Sequence, residues 1–386
     1  MNFDVAIVGG GLVGAALAGA LRGCPLALVA QDRRPPDPLS KELDSRIYAI
    51  SPGNAVFLSA LGAWQRMPAE RLTPVHAMRV FGDDGDSALE FDAYRCGTSE
   101  LAWIVEDGLL HDALWHSLEA QERLTVLAPA ECERLDLSSV GAKLTLRDGA
   151  MIEARLVVGA DGARSFIRRE ARIAASEHDY GQTAVVANFA AERPHRNIAF
   201  QWFQGGPVLA LLPLPGQDIS MVWSTGKPHA AHLLGLEPDA LAREVAAASR
   251  HVLGELSLVT PARGFALQRL AAARIAAPRV ALAGDAAHVV HPLAGQGANL
   301  GFQDARELAD VLHAREPFRD PGDLRLLRRY ERARAEAILA MRSTVHGLFR
   351  LFDAKSTLAG KIRNTGLNLA DRLPVLKNVL MRHAMS

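Results

Sequence analysis

This chain has no surplus of charge. Over 386 residues, 43 lysines and arginines are matched by 43 aspartates and glutamates. Such a balance gives no global field to draw in a polyanion, and no interleaving of aromatic with basic residues suggests a base-stacking platform, so no nucleic-acid partner is expected. Cysteine is scarce as well. Cys24, Cys96 and Cys132 are odd in number and widely spaced, with no CxxC, which argues against a disulfide framework and a zinc cluster and suits inert thiols in a reducing cytoplasm. Long apolar runs are missing too. The uncharged stretch from Val5 to Leu21 falls short of the about 20 apolar residues that a membrane span needs, and it lacks the basic flank of a signal peptide. There is no internal repeat and no low-complexity segment. With 49% hydrophobic residues, the chain can bury a large core divided over two or so domains.

Three strand ends carry the chemistry. The first is Asp4-Val-Ala-Ile-Val followed by Gly9-x-Gly11-x-x-Gly14 and an apolar helix. A glycine-rich turn between a strand and a helix is the context that a dinucleotide diphosphate requires. The next strand, Leu26-Ala-Leu-Val, is followed by Ala30 where an acid usually holds the adenosine ribose; Asp32, two positions on, is the candidate to take that role. The second strand end is Leu156-Val-Val-Gly-Ala-Asp161-Gly162, with Ser165 and Arg168 behind it at helical spacing; taken singly, a strand followed by Asp-Gly is most often a plain turn. The third is the most informative. Val280-Ala-Leu-Ala reads as a buried parallel strand, Gly284-Asp285 ends it, and Gly295, Gly297 and Gly301 let backbone approach a ligand. The helix that opens there offers N–H donors to an anionic or electron-rich group.

Between these elements the pattern changes. Ala77–Phe81, Ala184–Phe189, Ala199–Phe203, Leu209–Pro213 and Ile219–Ser224 are short strands separated by turns, which predicts an antiparallel sheet inserted into the nucleotide-binding unit. The expected division is a nucleotide-binding domain from 1–75, 106–172 and 271–340, a substrate domain from 76–105 and 173–270, and a helical C-terminal segment at 341–386. Leu324–Arg342 reads as a solvated helix.

The three motifs together, with Gly284-Asp285-Ala-Ala-His288-x-x-His291-Pro292-x-x-Gly295-Gln296-Gly297-Ala298-Asn299-x-Gly301 as the longest, resemble the group A flavoprotein monooxygenases of the para-hydroxybenzoate hydroxylase type. Asp44-Ser-Arg46-Ile-Tyr-Ala-Ile-Ser, Trp103-Ile-Val-Glu-Asp107, Gly206-Pro-Val-Leu-Ala-Leu-Leu-Pro213 and Arg363-Asn-x-Gly366-Leu are similar to the ubiquinone-biosynthesis hydroxylase branch. The resemblance implies an α/β fold: a Rossmann-like FAD-binding domain with an inserted antiparallel-sheet substrate domain. It implies bound FAD, NADH or NADPH as a transient reductant, and hydroxylation by O2 through a flavin C4a-hydroperoxide of a polyprenyl phenol or quinol. It also implies roles for residues. Gly9, Gly11 and Gly14 would receive the diphosphate, Arg46 the phosphate or flavin, Asp285 the ribityl hydroxyls, and Asp161 and Gly162 both cofactors. Gly284 and Pro292 would contact the cofactor, and backbone from Gly295 through Gln296, Gly297 and Ala298 to Asn299 would face the flavin pyrimidine edge. At Asp107 the family pattern favours Asn.

No general base stands out; His291 and Pro292 are the candidates nearest the chemistry. His288 and His291 have no third ligand nearby, so no metal is expected. Phe200, Trp202, Leu209, Leu211 and Trp223 are the expected substrate wall, against the competing reading that they are ordinary core on the sheet's other face. The basic, apolar C-terminal segment fits an interfacial contact at the inner membrane, or simply a cap on the domain or a seat for a partner of quinone biosynthesis. The absence of a Trp-x-Trp argues against a halogenase. A FAD-binding accessory protein and a hydroxylase of another aromatic ring remain alternatives.

Overall fold

The structure is a computed structural model that describes residues 1–32, 43–82, 88–290 and 296–353. One eight-stranded sheet is built on the first strand, Asn2–Val8, which pairs in parallel with Leu26–Val29 on one side and with Met151–Gly159 on the other. Val280–Leu282 continues the parallel order beyond Met151–Gly159, and Leu124–Leu127 does so beyond Leu26–Val29. All three glycine-bearing motifs therefore emerge at the carboxyl ends of neighbouring parallel strands, where chain order reverses and open α/β sheets bind their ligands.

Helix Leu12–Ala20 is apolar on every side, and its Ala15, Ala16, Leu17 and Ala18 are fully buried. Such a helix belongs inside a core. It packs between the helices Asp107–Leu118 and Gln296–His313. Val13 fills the space that a Cβ on Gly301 would occupy, only 2.4 Å away, so Gly301 serves helix–helix contact and not, as its motif suggested, approach to a ligand. The helix Leu324–Asp353 also departs from the solvated reading: Leu326, Leu327 and Tyr330 are buried, and Tyr330 donates a hydrogen bond to the Leu282 carbonyl at 2.8 Å. Its high charge masked a narrow apolar stripe.

A nine-stranded sheet forms the second layer system. Ala175–Ala191 lies near its middle, flanked by Asp218–Gly226 and Arg263–Ala272, and continues through Val208–Pro213 and Ile198–Phe203 to Ala77–Phe81. The pairing is antiparallel except between Ile198–Phe203 and Ala77–Phe81, which run parallel. Strand alternation gives this sheet two unlike faces. Trp202, Leu209, Leu211, Met221 and Trp223 form one core with the helices Lys227–Leu234 and Pro238–Ala248, each large side chain contributing about 1.5–3 kcal/mol through burial. The opposite face carries small residues, Ala184, Val186, Ala210 and Val222, and turns toward the first sheet. A three-stranded sheet, Ile47–Ile50 with Ala102–Glu106 and Thr73–Val75, stands beside the junction.

Candidate active site

A cavity of about 790 Å³ lies between the two large sheets. At its nucleotide-facing end are Gly11, Leu12, Val13, Arg46, Asp107, Ala160, Gly162, Asp285, Gly297, Ala298 and Asn299. All three strand-end motifs thus contribute to one space.

The glycines of the first motif divide their work. A Cβ on Gly9, where φ is +116°, would sit 2.2 Å from the Ala160 carbonyl oxygen, and one on Gly14 would sit 1.9 Å from that of Gly9. Both are required for backbone to touch backbone, and neither lines the cavity. Gly11 differs: a Cβ there meets nothing within 4 Å and would project into open space at the helix N-terminus. Of the three only Gly11 lines the cavity, whereas the expectation set all three against a ligand. Gly10 lies against Ala30 and Trp115, and its carbonyl accepts hydrogen bonds from Trp115 Nε1 at 2.9 Å and His111 Nε2 at 2.7 Å. Ala30 is buried in that contact, whereas Asp32 is exposed and outside the cavity lining.

Asp161 also departs from expectation. Its carboxylate accepts from Ser165 Oγ and from the Ile167 amide at 3.1 Å, closing the turn into helix Phe166–Glu170, while its neighbour Gly162 lines the cavity. Arg168, buried, donates to the Ala286 carbonyl at 2.9 Å and the Ala163 carbonyl at 2.7 Å, which ties the second motif to the third. Asp285 itself is open to the cavity. The surrounding protein withholds enough water to raise its carboxyl above the ordinary range, against the lowering pull of His288 and Arg46.

Arg46 is placed by a chain of acids. Arg71 binds Glu106 through two nitrogens at 2.7 and 2.6 Å, Glu106 accepts from the Asp44 amide at 2.7 Å, and Asp44 accepts from the Arg46 amide at 2.9 Å and the Gly108 amide at 3.2 Å. The Arg46 guanidinium lies over the Tyr48 ring, 5.5 Å from its centroid. Burial, the negative charge of Asp107 and a hydrogen bond to that carboxylate together push the Tyr48 hydroxyl far above its ordinary range. Asp107 therefore has partners in both Tyr48 and Arg46.

Beneath Asp285 is a group that sequence reading missed. Asp304, fully buried, accepts from the Gly284 amide at 2.9 Å, His288 Nε2 at 2.6 Å and Arg334 Nε at 2.6 Å. Burial alone would favour neutral forms, but the facing charges prevail: the histidine is held above its ordinary range and the aspartate below. The signal was present in the periodicity. Asp304 interrupts the apolar row Leu300, Leu308, and Arg334 continues the buried row Leu327, Tyr330. Asn299 is a second tether: its Oδ1 accepts from the Ser51 amide and from Asn54 Nδ2, both at 2.9 Å, and its Nδ2 donates to the Ala49 carbonyl at 2.8 Å.

The expected substrate wall lies largely on the wrong face. Trp202, Leu209, Leu211 and Trp223 belong to the core beneath the helices; Phe200 borders the cavity but stacks on Trp202 with ring centroids 5.9 Å apart. The far half is lined instead by residues such as Val75, Met78, Phe91, Ala184, Val186, Ala199, Gln201, Val208, Ala210, Leu212, Val222, Ser224, Phe265, Ala266, Leu267 and Gln268. Alternation selected the face, and the helices claimed the aromatic one. His291, Pro292 and Gly295 lie outside the described residues, as does 354–386; Gln296 opens its helix there.

Comparison with known proteins agrees with this geometry. The family described as FAD binding domain matches residues 2–344. Ubiquinone hydroxylase UbiL of Rhodospirillum rubrum is 36% identical over 384 residues, covering 99% of this chain and 89% of that protein. The 3-demethoxyubiquinol 3-hydroxylase of Escherichia coli is 33% identical over 388 residues, covering 99% and 98%. In fold, p-nitrophenol 4-monooxygenase PnpA from Pseudomonas putida superposes with a TM-score of 0.79 at 17% identity, over 100% of this chain and 99% of that one.

Proposed function

This chain belongs to the FAD-binding family of flavin-dependent monooxygenases, together with the ubiquinone-biosynthesis hydroxylases, and from that premise we propose that it hydroxylates the ring of a prenylated phenol or quinol. The cavity fits FAD on its own terms. A helix N-terminus with an open Cβ position at Gly11 accommodates a diphosphate, and Gly297 likewise meets nothing within 4 Å. Asp285 supplies an acceptor for ribityl hydroxyls, and Arg46 a cation for phosphate or the flavin edge. Bound FAD supplies the two-electron chemistry that activates dioxygen, which no side chain in the cavity can perform.

The protein's share is positioning and exclusion of water. Met78, Phe91, Leu212 and the small residues of the nine-stranded sheet leave the far half of the cavity largely apolar. One observation carries the substrate reading: every charged side chain lining the cavity, Arg46, Asp107 and Asp285 with the ionisable His111, stands at the nucleotide end, and among the described residues none lines the far half. A carboxylate on the ring would be buried there unpaired at a cost of several kcal/mol, whereas an uncharged ring with a hydrocarbon tail is welcome. The cavity borders Phe265, which is 41% exposed, and we take this side as the tail's way in from a bilayer surface. Among the described residues no helix is long and apolar enough to cross a membrane.

We assign 1–75, 106–172 and 271–340 to holding FAD, and 76–105 with 173–270 to the substrate; the eight-stranded sheet falls in the first set, and the nine-stranded sheet in the second apart from its edge strand His288–Val289 and the end of Arg263–Ala272. NADH or NADPH is the transient reductant. The test is a turnover assay: FAD-loaded protein, each nicotinamide in turn, O2 and a short-chain 2-prenylphenol, with the product weighed by mass spectrometry. Ring incorporation of one oxygen atom is expected. Nicotinamide oxidation yielding only hydrogen peroxide with every neutral phenol, but ring hydroxylation of a carboxylated one, overturns the reading.

A further inference from the structure

The apolar half of the cavity contains two buried polar side chains. Gln201 on strand Ile198–Phe203 and Ser224 on strand Asp218–Gly226 both line the cavity, with only 5% and 4% of their surface exposed. Neither side chain has a hydrogen-bond partner among the described residues. A primary amide and a hydroxyl together bring three donors and several acceptors, and burying them unpaired is unfavourable. Two polar groups nearer the nucleotide end are engaged. Asn299 is bonded to Ser51, Asn54 and Ala49, and His111 to Gly10.

Their placement on the sheet is specific. Gln201 pairs with Ala210, which pairs with Val222; Ser224 pairs with Val208 and, on its other side, with Ala184. The two polar residues thus stand two strands apart and one row apart on the same face. With about 4.8 Å between strands and about 6.8 Å per two residues, their Cα atoms are about 12 Å apart. That span suits an aromatic ring bearing an oxygen at each end, with one hydrogen bond beyond each oxygen. The side chains between them, Val208, Ala210 and Val222, are small enough to leave the ring room.

We propose that Gln201 and Ser224 are the ring-positioning residues of this enzyme: each hydrogen-bonds an oxygen substituent of an uncharged aromatic substrate, and together they fix which ring carbon faces the flavin. This rests on the hydroxylase reading above and deepens it. The two residues act on recognition, since an amide and an alcohol cannot serve as a base for a phenol at neutral pH, and they read oxygen substituents without demanding a charge.

The experiment uses FAD-loaded protein and two probes, 2-geranylphenol and geranylbenzene, which differ by the hydroxyl alone. Binding is followed by the perturbation of the flavin spectrum, with FAD content and melting temperature recorded for each variant. Wild type should favour the phenol by about 10-fold or more. In Gln201→Met and Ser224→Ala the preference should shrink toward unity in at least one variant, through loss of phenol affinity with geranylbenzene binding unchanged, and the ratio of ring product to peroxide should fall. A merely structural role would weaken both probes alike. Gln201→Asn, which withdraws the amide by one methylene, provides the same comparison should Gln201→Met not fold. Unchanged discrimination in both positions, with wild-type turnover, overturns this inference and leaves the hydroxylase reading standing. Failure of wild type to bind either probe overturns both.

Discussion

The contrast between Gly11 and Gly14 gives a sharp test of how the first motif works. Replacing Gly14 with alanine places a methyl group 1.9 Å from the Gly9 carbonyl oxygen, about 1 Å closer than any real Cβ contact, and the obstacle is backbone that cannot rotate away. Helix Leu12–Ala20 must then lift from the strand it follows. Overpacking of a close-packed core costs typically 1–3 kcal/mol, and an unyielding neighbour puts this case at about 3 kcal/mol or more. At about 2.1 cal/mol/K per residue, a chain of this length loses roughly 4 °C in melting temperature, or fails to fold. Gly11→Ala meets nothing within 4 Å, and the N-cap φ of −70° is open to alanine. Its cost in the apoprotein is that of a poorer N-cap, at most about 1 kcal/mol and so roughly 1 °C. Toward FAD the order reverses. The Gly11 methyl holds the diphosphate off the helix amides, and loss of one charge-assisted hydrogen bond, about 1.5–3 kcal/mol, weakens binding by about 10- to 100-fold. Scanning fluorimetry of apoprotein across a FAD titration separates the two effects, because ligand stabilisation grows as RT ln(1 + [L]/Kd). A Gly11→Ala protein with wild-type FAD affinity, or a Gly14→Ala apoprotein with wild-type melting, would refute the division of labour.

Three further outcomes are expected. Asp304→Asn leaves His288 and Arg334 buried opposite a neutral amide and should cost about 3–5 kcal/mol, read as earlier denaturant unfolding; a midpoint equal to wild type would remove Asp304 as the support of the Gly284–Ala286 turn. Asp285 has a raised carboxyl, so the folded state binds more protons than the unfolded chain between the ordinary and the raised values, and stability falls as pH climbs through that window. Asp285→Asn should therefore melt higher than wild type as apoprotein at neutral pH, show no gain near pH 3, and bind FAD more weakly; a neutral-pH loss of apoprotein stability contradicts the sign. Ala210→Phe fills the cavity and should raise the KM for a prenylphenol at unchanged FAD content, whereas Leu209→Ala, one residue away on the opposite face, should cost about 2–5 kcal/mol of stability with KM little altered. Equal KM effects from the two would show that the sheet face has been misassigned.

Much of this protein follows from local sequence. Strand, glycine turn and helix at residues 4–20 form because a β-branched and aliphatic run is followed by residues that alone permit the backbone contacts at Gly9 and Gly14, and the Asp285 motif is read the same way. Period-2 strands at 184–224 announce a sheet, because alternation is a property of the backbone itself. Which face of that sheet meets the ligand is not a local property. Trp202, Leu209, Leu211 and Trp223 are as suited to a pocket as to a core, and the decision belongs to the helices 227–234 and 238–248, which cover them and leave Ala210, Val222, Gln201 and Ser224 to the cavity. In the same way Asp161 and Asp285 both read as strand-end carboxylates. Only the tertiary arrangement turns one inward, where Ser165 and the Ile167 amide satisfy it, and leaves the other open to the cavity. A carboxylate's role is set by which donors reach it first, and those donors come from parts of the chain whose distance in sequence carries no information about their distance in space.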